Sequence, residues 1–179
     1  MSRVKVVLVG PPGAGKTTVG SELAVRLGVA FLDTDAEVER TTGRTISEIF
    51  LDDGEEHFRA LEHQAVIDTL GRHDGVLALG GGAILDERTR RSLDVVPVVF
   101  LDVSMAKAMP RVGMTGARPL LVGSPRAQWK ILADARRPLY EEVAGLVLDT
   151  DKEAPDRLAT VIASALEHGE LVASAGRTV

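Results

Sequence analysis

One segment constrains the fold of this chain more than any other, namely residues 10–17, which read GPPGAGKT. The segment matches the pattern G-x-x-x-x-G-K-[ST], follows a largely apolar run at residues 4–9 and precedes a helical pattern at residues 17–27. Such a loop turns backbone N–H groups inward around a phosphate, and the N-terminus of the next helix adds positive potential. The sequence therefore predicts a nucleotide phosphate site between a buried strand and a helix.

Apolar runs alternate with helical patterns along the rest of the chain. We expect strands at residues 4–9, 29–32, 76–79, 96–101 and 145–149, each followed by a helical segment. We expect helices to begin at the capping box of Thr45 and Glu48, near residue 58, and at Ser124-Pro125, the last of these reaching about Tyr140. This alternation is typical of an α/β protein with a mostly parallel sheet. No linker divides the chain, which predicts a single domain over residues 1–179 with a frayed tail at 169–179.

The composition excludes several classes of protein. The chain has 26 acidic and 21 basic residues, and its net charge of -5 argues against a nucleic-acid or anionic-membrane binder, because those surfaces need excess positive charge. It has no cysteine, so disulfides and thiolate metal sites are excluded. No apolar stretch is long enough to span a membrane, and the first apolar run contains a lysine, so we expect a cytoplasmic protein without an export signal.

Polar clusters follow three predicted strands, at the sheet edge where parallel sheets bind their ligands. Asp33 and Asp35 follow the second strand, Gly81 belongs to a glycine triplet after the third, and Arg118 lies in a loop beyond the helix after the fourth. Paired carboxylates can hold Mg²⁺ through water and accept a proton from an acceptor hydroxyl, but either aspartate could also simply cap a helix. A glycine-rich loop with one arginine is typical of a lid that carries an arginine to the phosphates, and also of a surface turn.

Two further arginines are candidates for anion binding. Arg59 and Glu62 lie three residues apart on a predicted helix and can form an ion pair. That pair is either exposed and of little consequence, or a device in which Glu62 orients Arg59 toward an anionic substrate group. Arg136 either supplies favourable charge near a helix C-terminus or binds an anion. The residues alone leave these alternatives open.

Six motifs occur in order along the chain. They read GAGKTT from residue 13, LDTD from residue 32, GEEHFRALE from residue 54, LGGGA from residue 79, RPLL from residue 118 and RRPLY from residue 136. Together, and at this spacing, they resemble the shikimate kinase family over nearly the whole chain. The resemblance implies a five-stranded parallel sheet flanked by helices, of the P-loop type found in nucleoside-monophosphate kinases. It also implies a substrate-binding helical insert at about residues 33–62 and a lid at about residues 113–125.

The resemblance further implies ATP-dependent, Mg²⁺-assisted phosphorylation of the 3-hydroxyl of shikimate by a monomeric enzyme. The nucleotide contacts it implies are Gly13, Ala14, Gly15, Lys16, Thr17, Thr18, Arg111, Arg118 and Pro155, with Arg111 and Pro155 on either side of the adenine. The catalytic residues it implies are Lys16, Asp35 and Arg118, and the acceptor contacts are Asp35, Arg59, Gly81 and Arg136. The metal ligands are Thr17 and, through water, Asp33. The apolar wall of the insert consists of Ile46, Phe50 and Phe58.

One residue departs from the family pattern. Pro110 lies in the helix that leads to the lid, where the family usually has a helix former. A proline inside a helix removes a hydrogen bond and kinks the helix, at a cost of about 3 kcal/mol or more. We therefore expect the placement of the adjacent Arg111 to be affected.

Two other functions fit part of the pattern. A kinase for another small hydroxy acid, such as gluconate, would use the same pair of Arg59 and Arg136. A nucleotide-binding regulator that transfers nothing would need only the phosphate loop. The LDTD and RPLL motifs favour shikimate, and the joint presence of Asp35 and the two arginines disfavours a regulator.

Overall fold

The structure, a computed structural model, describes residues 4–114 and 124–174 and is built on one five-stranded sheet. The strands are β1 (Val6–Val9), β2 (Ala30–Asp33), β3 (Gly75–Ala78), β4 (Val98–Asp102) and β5 (Leu146–Asp149). Their order in the sheet is β2-β3-β1-β4-β5, and all neighbouring strands are parallel. The predicted five-stranded parallel sheet is thus confirmed.

Seven α-helices lie within the described residues and flank this sheet. They are α1 (Lys16–Leu27), α2 (Thr34–Thr42), α3 (Ile46–Arg72), α4 (Glu87–Ser92), α5 (Met105–Met114), α6 (Pro125–Val143) and α7 (Pro155–Glu167). Short 3₁₀ turns occur at Ala83–Leu85 and Leu93–Val95. None of these helices has the length and apolar character needed to cross a membrane.

Strand β1 is apolar at every position because both of its faces are covered. Val6 and Leu8 belong to a core cluster with residues of α1, α5 and α7, whereas Val7 and Val9 belong to a second cluster with residues of α3 and α6. Successive side chains of a strand point to opposite faces, so a strand buried on both sides has a continuous apolar sequence. The phosphate loop therefore leaves the carboxyl end of a strand that is buried on both faces.

Helix α3 consists of two helical segments that meet at a kink, in agreement with the two helices that the sequence predicted. The capping box is present as expected, since the Thr45 hydroxyl accepts from the N–H of Glu48 and the Glu48 carboxylate accepts from the N–H of Thr45. The helix continues to Arg72 through a single non-helical residue, Gly54, with φ 84° and ψ 172°. A glycine adopts this left-handed conformation without the steric cost that a side chain would impose. The helix predicted near residue 58 is thus the continuation of the first after a kink.

Helix α2 was not predicted, because an ionic cluster anchors it and its sequence has no apolar face. Glu37 is buried and accepts hydrogen bonds from Arg40, at 2.7 and 2.8 Å, and from Arg72 at the end of α3. The hydrogen bonds from Arg40 hold the pKa of Glu37 below its usual range even though burial opposes this. This ion cluster joins α2 to α3 and so holds the insert together.

Two predicted segments need comment. The frayed tail predicted from residue 169 is wrong for its first residues, because Leu171 is buried in the α1/α7 core cluster and its N–H donates to the Ala165 carbonyl. Residues 175–179 lie outside the described residues. So does most of the predicted lid, including Arg118, since α5 ends at Met114 and α6 begins at Pro125.

Candidate active site

The phosphate loop forms between β1 and α1, as predicted. Gly15 caps α1 in a left-handed conformation with φ 86°, which turns the backbone so that the first helical N–H groups face the loop. The Lys16 ammonium lies over the loop and donates to the carbonyls of Gly10, at 2.7 Å, and Pro11, at 3.1 Å. The loop therefore combines a helix N-terminus with a cationic side chain, which is the arrangement that phosphate binding requires.

Asp33 serves both as a helix cap and as part of the site. Its Oδ1 accepts from the N–H of Asp35 at 2.9 Å and so caps α2. Its Oδ2 accepts from the Thr17 hydroxyl at 3.3 Å. The capping alternative that the sequence left open for Asp33 is therefore confirmed, and the carboxylate of β2 also meets the hydroxyl of α1.

The Thr17–Asp33 pair fits Mg²⁺, which proteins usually hold through one or two oxygen ligands together with substrate phosphates and water. In residues 4–114 and 124–174 no group of three or more His, Asp or Glu side chains could hold a metal ion by itself. A metal in this cleft would therefore be shared with a phosphate.

The glycine triplet after β3 provides space for side chains of the insert. A Cβ on Gly80 would collide with the carboxylates of Asp35 and Glu62, and one on Gly82 would collide with the Arg59 guanidinium. Glycine is required at both positions because it has no side chain. Charged groups from α2 and α3 can therefore lie directly against the backbone. Asp35 and Arg59, predicted from separate motifs, are thereby brought to one segment.

The Arg59–Glu62 pair is buried at its acidic end, so the alternative of a fully exposed pair does not apply. Arg59 Nη1 lies 2.7 Å from Glu62 Oε2, and the Glu62 side chain is 3% exposed against 18% for Arg59. Arg59 also binds Glu55 at 3.2 Å. Burial raises the pKa of the Glu62 carboxyl to about 7, since the lowering effect of Arg59 does not offset desolvation and Asp35 adds a further rise.

Arg136 and Arg137 have different environments although they are adjacent. Arg137 forms a two-point ion pair with Asp102 at the end of β4, at 2.7 and 2.9 Å, and is half exposed. Arg136 is only 5% exposed and lies near enough to Glu62 for its charge to lower that group's pKa. Within residues 4–114 and 124–174 no carboxylate forms an ion pair with Arg136. A buried guanidinium that forms no ion pair among the described residues is suited to a ligand anion, which favours the anion-binding alternative over helix-end charge.

A cleft of about 230 Å³ joins the phosphate loop to the glycine triplet. It is lined by Gly13, Gly15, Lys16, Thr17, Thr18, Asp33, Asp35, Leu79, Gly80, Gly81 and Arg111. These residues come largely from the carboxyl ends of β1, β2 and β3, which are neighbours in the sheet. The structure thus brings the predicted nucleotide, metal and hydroxyl-binding residues into one cavity.

Arg111 reaches the phosphate loop in spite of the proline beside it. Helix α5 continues through Pro110 to Met114, and Arg111 Nη1 donates to the Gly13 carbonyl at 3.0 Å. Pro155, the other residue expected at the adenine, occupies the first turn of α7. The proline does not prevent Arg111 from lying at the cleft.

The predicted apolar wall of the insert is formed. The Phe50 and Phe58 rings lie 4.7 Å apart, and Ile46 packs against the same cluster as Phe58. The Arg59 guanidinium lies 5.3 Å from the centre of the Phe58 ring. The wall therefore also supports one of the two candidate anion-binding arginines.

Two polar contacts escaped the sequence reasoning. The Trp129 indole N–H donates to the Pro12 carbonyl at 2.9 Å. The Tyr140 hydroxyl donates to the Gly81 carbonyl at 2.5 Å. Both acceptors are backbone atoms distant in sequence, so no local pattern could have indicated these contacts.

Comparison with known proteins agrees with this site. The family model for shikimate kinase matches residues 12–167. A shikimate kinase from Thermobifida fusca is 54% identical over 165 residues, which cover 92% of this chain and 96% of that protein. The solved structure of shikimate kinase from Acinetobacter baumannii in complex with shikimate has a TM-score of 0.88 at 40% identity, and the match covers 92% of this chain and 93% of that chain. A gluconokinase from Sinorhizobium meliloti, at 18% identity, a TM-score of 0.59 and 94% coverage of each chain, shares the fold alone. Because the family match spans most of the chain and includes the loop, the insert and the buried arginines, this chain belongs to the shikimate kinase family.

Proposed function

We propose that this protein transfers the γ-phosphate of ATP to the 3-hydroxyl of shikimate, giving shikimate 3-phosphate and ADP in aromatic amino-acid biosynthesis. The observation that carries the proposal is the meeting of Asp35 and Arg59 at the Gly80–Gly82 segment, beside the Lys16 loop. A hydroxyl-binding carboxylate, a carboxylate-binding guanidinium and a phosphate loop are the three groups that a kinase for a hydroxylated acid needs.

On the acceptor side, Arg59 and Arg136 would bind the shikimate carboxylate. Glu62 and Glu55 hold the Arg59 guanidinium from two positions, so little side-chain freedom remains to be lost on binding. Asp35 would hydrogen-bond the acceptor hydroxyls and is the candidate base, and the backbone at Gly81 would border the ring. With these roles, the reacting hydroxyl would lie on the side of the cleft that faces Lys16.

On the nucleotide side, Lys16 and the loop N–H groups would hold the transferring phosphate. Phosphoryl transfer has a loose transition state, so positioning and charge neutralisation supply most of the catalysis. The loop contacts are Gly13, Ala14, Gly15, Thr17 and Thr18. Arg111 and Pro155 would flank the adenine, and Arg118, outside the described residues, would contribute a second cation to the phosphates.

The cofactor of the proposed reaction is Mg²⁺. Thr17 would coordinate the ion directly and Asp33 would hold it through water, which agrees with the hydrogen bond that brings their oxygens together. When bound, the ion neutralises phosphate charge and helps to orient the terminal phosphate. We expect Asp33→Ala to raise the Mg²⁺ concentration needed for half-maximal activity.

The test is a coupled ADP-release assay with shikimate and gluconate as parallel acceptors. Turnover that depends on shikimate, with gluconate at the background rate, is the expected result. Stimulation by gluconate alone would replace shikimate with another hydroxy acid. ADP binding without turnover on either acceptor would favour a nucleotide-binding regulator.

We also propose that the chain acts as a single-domain monomer in the cytoplasm, with an acceptor-binding insert at about residues 33–62 and a lid at about residues 113–125. The resemblance to the family supports this arrangement. Size-exclusion chromatography with light scattering tests the monomer, and a mass near twice 19.0 kDa would contradict it.

A further inference from the structure

Helix α6 contacts two backbone segments that border the cleft, the phosphate loop and the glycine triplet. Its buried face consists of Trp129, Arg136, Tyr140 and Val143. We propose that Trp129 and Tyr140 are positioning residues, which hold the phosphate loop and the acceptor backbone in register with Arg136. This inference rests on the proposed function, because it assigns residues to the alignment of that reaction's two substrates.

The spacing on α6 places the three polar side chains in one line. Trp129, Arg136 and Tyr140 are separated by seven and four residues, intervals that return a helix to the same side. Trp129 belongs to the core cluster with α1 and α7, whereas Tyr140 belongs to the cluster on the opposite face of the sheet. The α6 buried face therefore passes from one side of the sheet to the other along the edge where the cleft lies.

The two outer residues of this line each bind a backbone carbonyl of the cleft. The Trp129 indole N–H donates to Pro12 in the phosphate loop, and the Tyr140 hydroxyl donates to Gly81 in the glycine triplet. The two loops also touch, because the Cβ position of Gly81 is 3.1 Å from Pro12 Cδ. One helix thus contacts both of these loops and carries Arg136, the proposed acceptor-binding arginine, between the two contacts.

These contacts fix where the loops lie relative to each other. A buried carbonyl that loses its donor must find another partner or shift. Reaction rates depend steeply on alignment, and a displacement of about 1 Å can cost about a hundredfold. The effect of each contact should therefore appear in the kinetics for the substrate that its loop binds.

Removing one donor at a time tests this, because phenylalanine keeps an aromatic ring. Trp129→Phe is expected to lower kcat/KM for ATP about tenfold, with the KM for shikimate unchanged. Tyr140→Phe is expected to lower kcat/KM for shikimate about tenfold, with the KM for ATP unchanged. Lys130→Ala, on the exposed face of the same helix, removes only the ion pair with Asp134 and should leave both parameters within about twofold.

Thermal unfolding of each variant separates positioning from stability. If Trp129→Phe and Tyr140→Phe lower Tm but leave both kcat/KM values as in the wild type, the two residues serve only the core and the proposal is wrong. The proposal is also wrong if both variants alter the two KM values equally, because neither contact would then act specifically on the substrate that its loop binds.

ADP affinity, measured by calorimetry, keeps the inference separate from the identity of the acceptor. Weaker ADP binding in Trp129→Phe than in the wild type supports the role of Trp129 even if shikimate proves not to be phosphorylated. Equal affinities overturn it. Absence of shikimate turnover in the wild type contradicts the proposed function alone.

Discussion

The guanidinium of Arg59 lies 2.7 Å from the carboxylate of Glu62, which is almost completely buried beneath it. Glu55 binds the same guanidinium from the solvent side at 3.2 Å. Arg59 is therefore held against Gly82 before any acceptor is present. The arrangement disfavours the ionised form of Glu62, because the buried carboxylate is poorly solvated.

The raised pKa of Glu62 predicts an unusual dependence of stability on pH. The carboxyl ionises near pH 7 in the folded protein and near 4.5 in the unfolded chain, so rising pH between these values favours the unfolded state. The contribution of Glu62 to the free energy of unfolding should fall across this window by about 3 kcal/mol at most and then stay level. Unfolding by urea at pH 4.5 and pH 7.5 measures the change.

Glu62→Gln provides the comparison, because an amide of similar shape does not titrate in this range. Between pH 4.5 and pH 7.5 the free energy of unfolding of the variant should therefore fall much less than that of the wild type. Equal changes of stability in both proteins over this interval would mean that Glu62 titrates near its ordinary pKa.

Gly82→Ala should weaken acceptor binding. The Gly82 backbone, at φ -102° and ψ -2°, accepts alanine, so the cost arises from the collision of the new Cβ with Arg59. We expect the KM for shikimate to rise about tenfold as the guanidinium is displaced, with the KM for ATP little changed. Steady-state kinetics with each substrate varied in turn measures both values.

Gly71→Ala is the matched control, because no atom lies within 4 Å of the position of its Cβ. Gly71 is helical, so alanine should add up to about 1 kcal/mol to the free energy of unfolding without affecting either KM. A Gly82→Ala enzyme with wild-type shikimate KM would show that Arg59 does not need its present position.

Arg136→Ala should raise the KM for shikimate by about a hundredfold, because it removes a buried cation that forms no ion pair within the part of the chain that the structure describes. Arg137→Ala should leave that KM within a few-fold, since Arg137 pairs with Asp102 near the surface. The two adjacent substitutions thus compare a buried arginine with one that is half exposed. A change confined to the KM for ATP would contradict the carboxylate assignment.

Asp35→Asn should reduce kcat about a hundredfold or more, because an amide cannot accept the hydroxyl proton. The fold should be retained, as judged by circular dichroism and ADP binding. Asp68→Asn, on the exposed face of α3, is expected to have normal turnover. Near-normal kcat in Asp35→Asn would remove Asp35 from the chemistry and leave it at most a binding role.

Lys16→Met should likewise reduce kcat about a hundredfold, since the phosphate loses its principal protein cation. The exposed Lys107→Met on α5 controls for the loss of one positive charge near the cleft. Normal turnover in Lys16→Met, measured in the same coupled assay, would contradict the assigned role.

Much of the fold followed from local patterns. The apolar run of β1, the capping box at Thr45 and the Ser124-Pro125 start of α6 each specify backbone geometry within a few residues, and the structure agrees. Helix α2 was missed because its sequence has no apolar face. Its anchor is Glu37 with Arg72, two residues far apart in the chain that meet only after α3 has folded back.

The candidate site divides in the same way. The loop around Lys16 could be predicted because its geometry is a property of eight consecutive residues. The functions of Asp33, Glu62 and Arg136 stayed open, because each has a harmless alternative that residue types alone cannot distinguish. Burial and distances in the structure show the surroundings of all three side chains, on which their proposed roles depend.

The sequence by itself determined the α/β class, the phosphate loop and the residue types that an acidic hydroxylated substrate would need. Only the tertiary structure decided that Arg136 is buried and Arg137 is not, that the Glu62 carboxyl is buried, and that Trp129 and Tyr140 donate hydrogen bonds to the two loops. The physical reason is that a backbone conformation depends mainly on neighbouring residues, whereas desolvation and hydrogen bonding depend on groups brought together from distant parts of the chain.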